Sequence, residues 1–440
     1  MAVLQNIWWF LVLIGVMILL HELGHFIAAR FFDVKVETFS FGFGPRLFGF
    51  RRGETDFRFS AILFGGYVKM AGDQPGEENS ADPRNLLAKP RWQRLIITFA
   101  GPFVNVLLAV GILTGLFMER FPKIPTPADP VVGYVTPDGA GAKAGLRPGD
   151  RVVQIDNTAN PNWDDITLQI ISSARRPIPV WVDREGHTDK LTLVPQLDEK
   201  QGVGIVDWTP ESQVDVATIS SGMPAQRAGL KPGDILVSAN GIPLLSIYKL
   251  DEIERATAGQ PLNLVIVRDG ARHEVTVKPE KTTDPAGSGQ SRWMIGLTLE
   301  NRFEIVKLPF ARAFVESLRE NGRSAKLIFE SLERMIERRI SPKSLVGPVG
   351  IAQLSGETAR EGPAAFLSLM CMVSLNLAIF NLLPIPILDG GVIMMLLVEM
   401  LMRRDLDLKI KEAVVKVGFV FLMITLMFVI YNDISKILPG

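Results

Sequence analysis

Two histidines and a glutamate stand inside an apolar run. From Ile7 to Ala29 the only ionisable residues are His21, Glu22 and His25, within His21-Glu22-Leu23-Gly24-His25. A helix turns about 100° per residue, so residues four apart lie about 40° apart on one face and both imidazoles can reach one metal ion. Glu22 then stands beside that ion, placed to take a proton from its water. This is the H-E-x-x-H pattern of zinc-dependent hydrolysis. On a soluble helix the same letters could form a solvated face. Inside a bilayer, ionisable groups are costly and mark function. His21 lies fourteen residues after Ile7, about 21 Å into a hydrocarbon core of roughly 30 Å, nearer its far side.

A hydrolytic zinc site takes three protein ligands and one open position. The remaining histidines, His187 and His273, fall in a long polar segment. Asp389 is therefore the candidate third ligand, flanked by apolar residues in Asn381-Leu382-Leu383-Pro384-Ile385-Pro386-Ile387-Leu388-Asp389-Gly390-Gly391. An N-cap for a helix from Val392 onward is its structural alternative. The two prolines stop a regular helix, which a membrane tolerates only where protein or a water-filled cavity covers the backbone. Asn105, in Ala100-Gly101-Pro102-Phe103-Val104-Asn105, needs a partner for its amide in lipid. Helix packing and a substrate-positioning or oxyanion role both fit it.

The elements that must hold these residues are apolar helices. Ile7 to Ala29, Leu95 to Phe117, Ala364 to Leu383 and Val414 to Tyr431 are each long and apolar enough to span a bilayer. The first reads as retained rather than as a removable signal peptide, because no basic residue precedes it. In 440 residues, 47 basic side chains balance 47 acidic ones, which gives no basic footprint for nucleic acid. Eleven Lys and Arg lie between Arg30 and Arg94, and Arg403, Arg404, Lys409 and Lys411 lie between the last two spans. The positive-inside rule makes both segments cytoplasmic, with the active site nearer that side. Both termini and the long middle segment are then external, periplasmic in a bacterium with two membranes. Cys371 is the single cysteine, a buried hydrophobe in the third span that excludes an intrachain disulfide.

Phe39 to Phe50 and Phe57 to Val68 alternate aromatics with glycine around a polar turn and predict a β-hairpin. Beside a membrane site its edge, around Gly42, Phe43, Gly44, Gly65, Gly66 and Tyr67, offers strand addition to an unwound substrate. Packing on the spans is the plainer role. Gly72 to Lys89, rich in Pro, Asp and Glu, reads as a polar loop. Leu308 to Arg339 carries Phe310, Phe314, Leu318, Ile328, Leu332 and Ile336 at helical spacing among charges, an amphipathic surface region.

The middle segment contains a repeat. Ala144-Gly145-Leu146-Arg147-Pro148-Gly149-Asp150 returns as Ala228-Gly229-Leu230-Lys231-Pro232-Gly233-Asp234, at an offset of 84 that also matches Arg184-Glu185-Gly186 with Arg268-Asp269-Gly270. Each copy shows short strands and one helical stretch. The repeated motif resembles the PDZ domains of bacterial proteases, which implies a groove for a peptide end or edge; a passive size filter is the alternative.

Together, HELGH in a first span, AGPFVN in a second, paired PDZ copies and NLLPIPILDGG after a third resemble the site-two protease family, of the bacterial regulator-of-sigma-E protease type. The resemblance implies a polytopic α-helical membrane protein with four spans, a membrane-reentrant β-hairpin and two extramembrane PDZ-like domains. The expected boundaries are 1–120, 127–197, 210–280, 304–352 and 364–440. It implies a zinc-dependent intramembrane endopeptidase of the bacterial inner membrane that cuts single-span proteins already trimmed by a site-one-type protease, such as an anti-sigma factor, or remnant signal peptides. By the same resemblance His21, His25 and Asp389 are zinc ligands, Glu22 the general base and Asn381 a residue that positions substrate or steadies the oxyanion. Val392 departs from the pattern, since related chains often carry His directly after the Gly pair. The competing classes are a membrane-anchored PDZ adaptor and a zinc sensor without hydrolysis.

Overall fold

The apolar runs and alternating segments form separate units in the computed structural model, which describes residues 2–73, 82–119, 121–123, 129–283, 291–301 and 304–437. Residues 74–81 of the expected polar loop lie outside these. In chain order the elements that matter here begin with α1 (Ala2–Phe31), β1 (Val36–Arg52), β2 (Thr55–Met70) and α2 (Arg91–Met118). The first repeat holds β3 (Val132–Val135), β4 (Arg151–Ile155), α3 (Trp163–Ile171), β5 (Ile178–Arg184) and β6 (His187–Leu193). The second holds β7 (Val214–Ile219), β8 (Ile235–Ala239), α4 (Ile247–Thr257), β9 (Leu262–Arg268), β10 (Ala271–Val277) and β11 (Leu297–Asn301). Then come α5 (Phe310–Ile336), α6 (Pro348–Glu361), α7 (Pro363–Leu382), α8 (Asp389–Met402) and α9 (Leu408–Ile437).

One unit comprises Met1–Phe121, Val306–Glu330 and Leu345–Gly440. Among the described residues α1, α2, α7 and α9 are the helices long and apolar enough to cross a membrane. At 14 residues α8 is too short to cross unaided. The α1 helix lies against α2 so closely that a Cβ on Gly24 would stand 2.4 Å from the Ala100 carbonyl oxygen. Leu13 and Met17 of α1 bury with Phe366, Leu369 and Met370 of α7. Ala109, Leu113 and Phe117 of α2 bury with Cys371, Leu375 and Ile379 of α7 and with Ala313 of α5. Thr114 and Ser317 join hydroxyls at 2.8 Å across that packing. By contrast α9 turns nearly all its apolar surface outward, as a helix facing lipid does.

The expected hairpin is present but more folded than a simple pair. Thr38–Phe41 pairs with Lys69–Gly66 on one side and with Asp56–Phe59 on the other, while Phe48–Arg52 pairs with Phe59–Thr55. The two long strands thus bend into a four-segment sheet, and Gly42, at φ 91°, sits just past that doubly paired stretch. Phe48 stacks on Phe59 and Phe50 on Phe57, with Phe48, Phe50 and Leu47 largely exposed.

The other unit, Pro122–Ile305 with Ser331–Ser344, contains both repeats. The second forms a sheet ordered β10, β9, β8, β7, β11, while the first pairs β4, β5 and β6. The repeated motif has a structural explanation. Its aspartates, Asp150 and Asp234, are each 1% exposed, and buried charge must be paired and hydrogen-bonded. Asp150 accepts from the Arg147 backbone N–H at 2.8 Å and from Arg184 at 2.7 and 2.8 Å. Asp234 accepts from the Lys231 N–H and from Arg268 in the same way. Burial alone would raise the Asp234 pKa; the hydrogen bonds from Arg268 and the Lys231 N–H, together with the two positive charges, outweigh it and hold the carboxyl below its usual range.

The copies differ beside their helices. A Cβ at Gly204 would meet the Ile170 carbonyl of α3 at 2.1 Å, so the chain packs tightly there. In the second copy a cavity of about 350 Å³ lies open, lined by Ile247, Leu250 and Glu254 of α4 and by Leu297 and Leu299 of β11.

Candidate metal centre

The two ends of the site come from helices far apart in sequence. His21 and His25 project one turn apart from α1, their Nε2 atoms 3.3 Å from each other. Asp389 brings Oδ2 to 3.2 Å from His21 Nε2 and Oδ1 to 3.5 Å from His25 Nε2. Among the described residues these three form a group whose donor atoms lie within 4.8 Å of one another. Two donors bound at about 2.1 Å to a tetrahedral ion stand about 3.4 Å apart, so both the spacing and the two-nitrogen, one-carboxylate chemistry fit zinc. Both histidines are buried.

Asp389 owes its place to the broken chain before it. After α7 ends, Pro384 and Pro386 prevent helix, and Ile387 takes φ 84°, where a β-branched residue is strained. Leu388 is the N-cap of α8, and Asp389 is its first helical residue. The N-cap expectation for Asp389 is therefore corrected: the position before it caps, and the carboxylate turns toward the histidines. A Cβ on Gly390 would stand 2.2 Å from the Leu383 carbonyl, and one on Gly391 2.4 Å from that of Ile385. The glycine pair lets the loop fold onto the helix start.

Glu22 is half-buried next to the metal group, with the backbone N–H of Val68 as a hydrogen-bond partner. A Cβ on Gly66 would lie 3.1 Å from Glu22 Cγ, so the Gly66–Met70 segment runs beside the carboxylate. The other hairpin residues pack on one another. Phe43 stacks with Tyr67 at 6.0 Å, its ring fills the space a Gly65 side chain would need, and Arg58 donates to the Tyr67 hydroxyl. Gly44, at φ 85°, is a bend.

Further residues come from α2. His25 Nδ1 lies 2.8 Å from the Ile97 carbonyl, to which it can donate, leaving Nε2 free to ligate. A Cβ on Gly101 would meet His25 Nε2 at 2.3 Å and His21 Cε1 at 2.9 Å, so both rings depend on a missing side chain. The Asn105 amide stands 3.2 Å from His21 Nδ1. Asn381, in the last turn of α7, is half-buried and makes no side-chain hydrogen bond among the described residues. His187 and His273 lie exposed on β6 and β10 in the other unit. Sequence reasoning missed the roles of Ile97 and Gly101. Their four-residue step to Asn105 along a span was the available signal.

A family model described as Peptidase family M50 matches residues 9–425. The Regulator of sigma-E protease RseP of Salmonella typhimurium is 29% identical over 460 residues, covering 99% of this chain and 100% of that one. The Escherichia coli protein of that name is 29% identical over 452 residues, covering 97% and 98%. A Vibrio cholerae protein carrying a zinc metalloprotease name is 27% identical, covering 99% of each. Among solved structures, the PDZ domain of an SdrC-like protein from Listeria monocytogenes covers 21% of this chain and 90% of that chain at 18% identity, with a TM-score of 0.18. With this family match over most of the chain, the protein belongs to peptidase family M50 and is a metalloendopeptidase.

Proposed function

We propose that this M50 protease cuts within the transmembrane segment of a single-span protein already trimmed outside the membrane, with His21, His25 and Asp389 as its zinc ligands and Glu22 as its base. The observation that carries this is the convergence of the three donor groups within 4.8 Å, two of them inside the apolar first helix, with a carboxylate beside them. Bound there, one zinc ion supplies a Lewis acid and an acidified water. Glu22 takes the proton of the attacking water and returns it to the leaving amine. His25 is held with Nε2 outward by its Nδ1 contact to Ile97. Asn381, by the family resemblance, positions the substrate or steadies the oxyanion.

A helical substrate hides its scissile bond in its own hydrogen-bond ladder. An unwound segment can add to the outer edge of Gly66–Met70, where backbone groups bind backbone groups beside Glu22. An anti-sigma factor is one substrate class, in keeping with the regulator-of-sigma-E names of the relatives, and the family resemblance adds a site-one-type protease acting first. Remnant signal peptides are another. The repeats are read as PDZ-like domains, external together with both termini. The open cavity between α4 and β11 favours peptide binding in the second copy over a purely passive filter. Val392, in place of the frequent His, leaves the three ligands intact.

The test compares zinc content and cleavage of a trimmed single-span substrate in the parent, Glu22→Gln and Asp389→Ala. We expect Glu22→Gln to keep zinc without cutting and Asp389→Ala to lose zinc. Normal cleavage by Glu22→Gln would refute the assignment. Zinc without cleavage in the parent would favour a sensor, and no zinc a PDZ adaptor.

A further inference from the structure

One face of α2 governs both histidines. Ile97, Gly101 and Asn105 follow at four-residue steps, so they line a single stripe of the helix. The first has its carbonyl against His25 Nδ1, the second leaves room for the rings, and the third reaches His21 Nδ1. Asn105 is 0% exposed, and as its amide is oriented the oxygen has no hydrogen-bond partner among the described residues. An unpaired buried oxygen next to an imidazole nitrogen is costly. The Ser374 hydroxyl of α7 donates to the Asn105 main-chain oxygen at 2.9 Å, which fixes this turn of α2.

We infer that Asn105 is a positioning residue for His21, its amide oxygen accepting the Nδ1 proton as the Ile97 carbonyl does for His25. Rotating the amide by 180° exchanges oxygen and nitrogen at nearly the same positions. The oxygen then has a donor, and the His21 proton stays on Nδ1. Nε2 is left bare toward His25 and Asp389. The opposite arrangement, with the amide NH₂ donating to Nδ1, forces the proton onto Nε2. His21 would then donate to Asp389 and could not ligate. An acceptor behind a ligating histidine sets its tautomer, orients its ring and raises its basicity. This separates Asn105 from a role in holding substrate or oxyanion, and it rests on the metal-centre reading above.

The experiment measures affinity for zinc alone by chelator competition, and the absorption spectrum with cobalt(II), in the full-length purified protein. Asn105→Leu removes the acceptor; Asn105→Asp keeps an acceptor and removes the amide donor. We expect Asn105→Leu to bind zinc about 10- to 100-fold more weakly with an altered cobalt spectrum, and Asn105→Asp to retain zinc near the parent's affinity. Should Asn105→Leu misfold, Asn105→Asp still decides, because a donor role predicts that it loses zinc. Equal zinc affinity in the parent and Asn105→Leu, or loss of zinc in Asn105→Asp, would overturn this inference alone. A parent that binds no zinc would overturn it together with the metal-centre reading.

Discussion

The Asp433 carboxylate, 3% exposed near the end of α9, accepts the backbone N–H of Gly347 at 3.0 Å and of Gly350 at 2.9 Å. It thereby satisfies free N–H groups at the start of α6 and holds an otherwise outward-facing helix at one end. A Cβ on Gly347 would stand 2.4 Å from Val429 Cγ1, so the approach is close.

Replacing Asp433 with Ala should leave those N–H groups unpaired and cost about 1–3 kcal/mol. A lower thermal midpoint in detergent, with unchanged zinc content, is the expected result. An unchanged midpoint would show that α9 is held by other contacts.

Gly101→Ala should empty the metal centre. The new methyl would overlap His25 Nε2 at 2.3 Å, whereas Gly111, on the same helix, has nothing within 4 Å of its Cβ position. Gly111→Ala should therefore be neutral or stabilising by up to about 1 kcal/mol. Zinc content of the two proteins provides the comparison, and equal retention would refute the crowding argument.

Stability of the second repeat should fall as pH rises from 5 to 8. Burial, reinforced by the nearby Asp251 carboxylate, pushes Glu254 up to about 7 from an ordinary 4.5. The folded state holds this proton after the unfolded chain has released it, so stability is full below the unfolded value and is lost as pH climbs through the folded one. The swing is on the order of 3 kcal/mol. Hydrogen exchange at the buried strand residues Leu262, Leu264 and Ile266 should quicken beyond its intrinsic pH dependence, and Glu254→Gln should remove the excess.

Ile387→Gly should relieve the backbone at φ 84°, a strain worth about 1–3 kcal/mol. Ile387 is 37% exposed, so little packing is lost in exchange. We expect stability to hold or rise while kcat falls, because Asp389 loses a rigid approach. Unchanged kcat would show that the strain does not help to position the carboxylate.

The apolar runs were legible because length and composition alone decide whether a helix can cross a bilayer. The first extends over Ala2–Phe31 where Ile7 to Ala29 was expected, and the fourth over Leu408–Ile437 where Val414 to Tyr431 was expected. The polar Gln5 and Asn6 in the first, and charged residues such as Lys409, Lys411, Glu412 and Lys436 in the fourth, hid those extra turns from a hydropathy reading. The His21–Glu22–His25 relation was legible too, since helical phase is local. The Ile97–Gly101–Asn105 stripe was not, because its meaning comes from the helix it faces. Nor was the second partner of Thr38–Phe41: alternation reveals a strand, but not that a hairpin folds back on itself. In the repeats the sequence showed that Asp150 and Asp234 recur, while their bonds to Arg184 and Arg268 required a fold that closes 34 residues of chain.

The contact of Gly24 with the Ala100 carbonyl changes how the five residues from His21 to His25 should be read. Three of them are the proposed metal ligands and base. The glycine faces a neighbouring backbone that no methyl group could approach. Substituting it would displace the second span, and with it the Ile97 carbonyl and Gly101, without altering any donor atom. A catalytic word in this sequence is therefore also a statement about helix spacing, and a search for such sites in designed membrane bundles has to specify the small residue as strictly as the histidines.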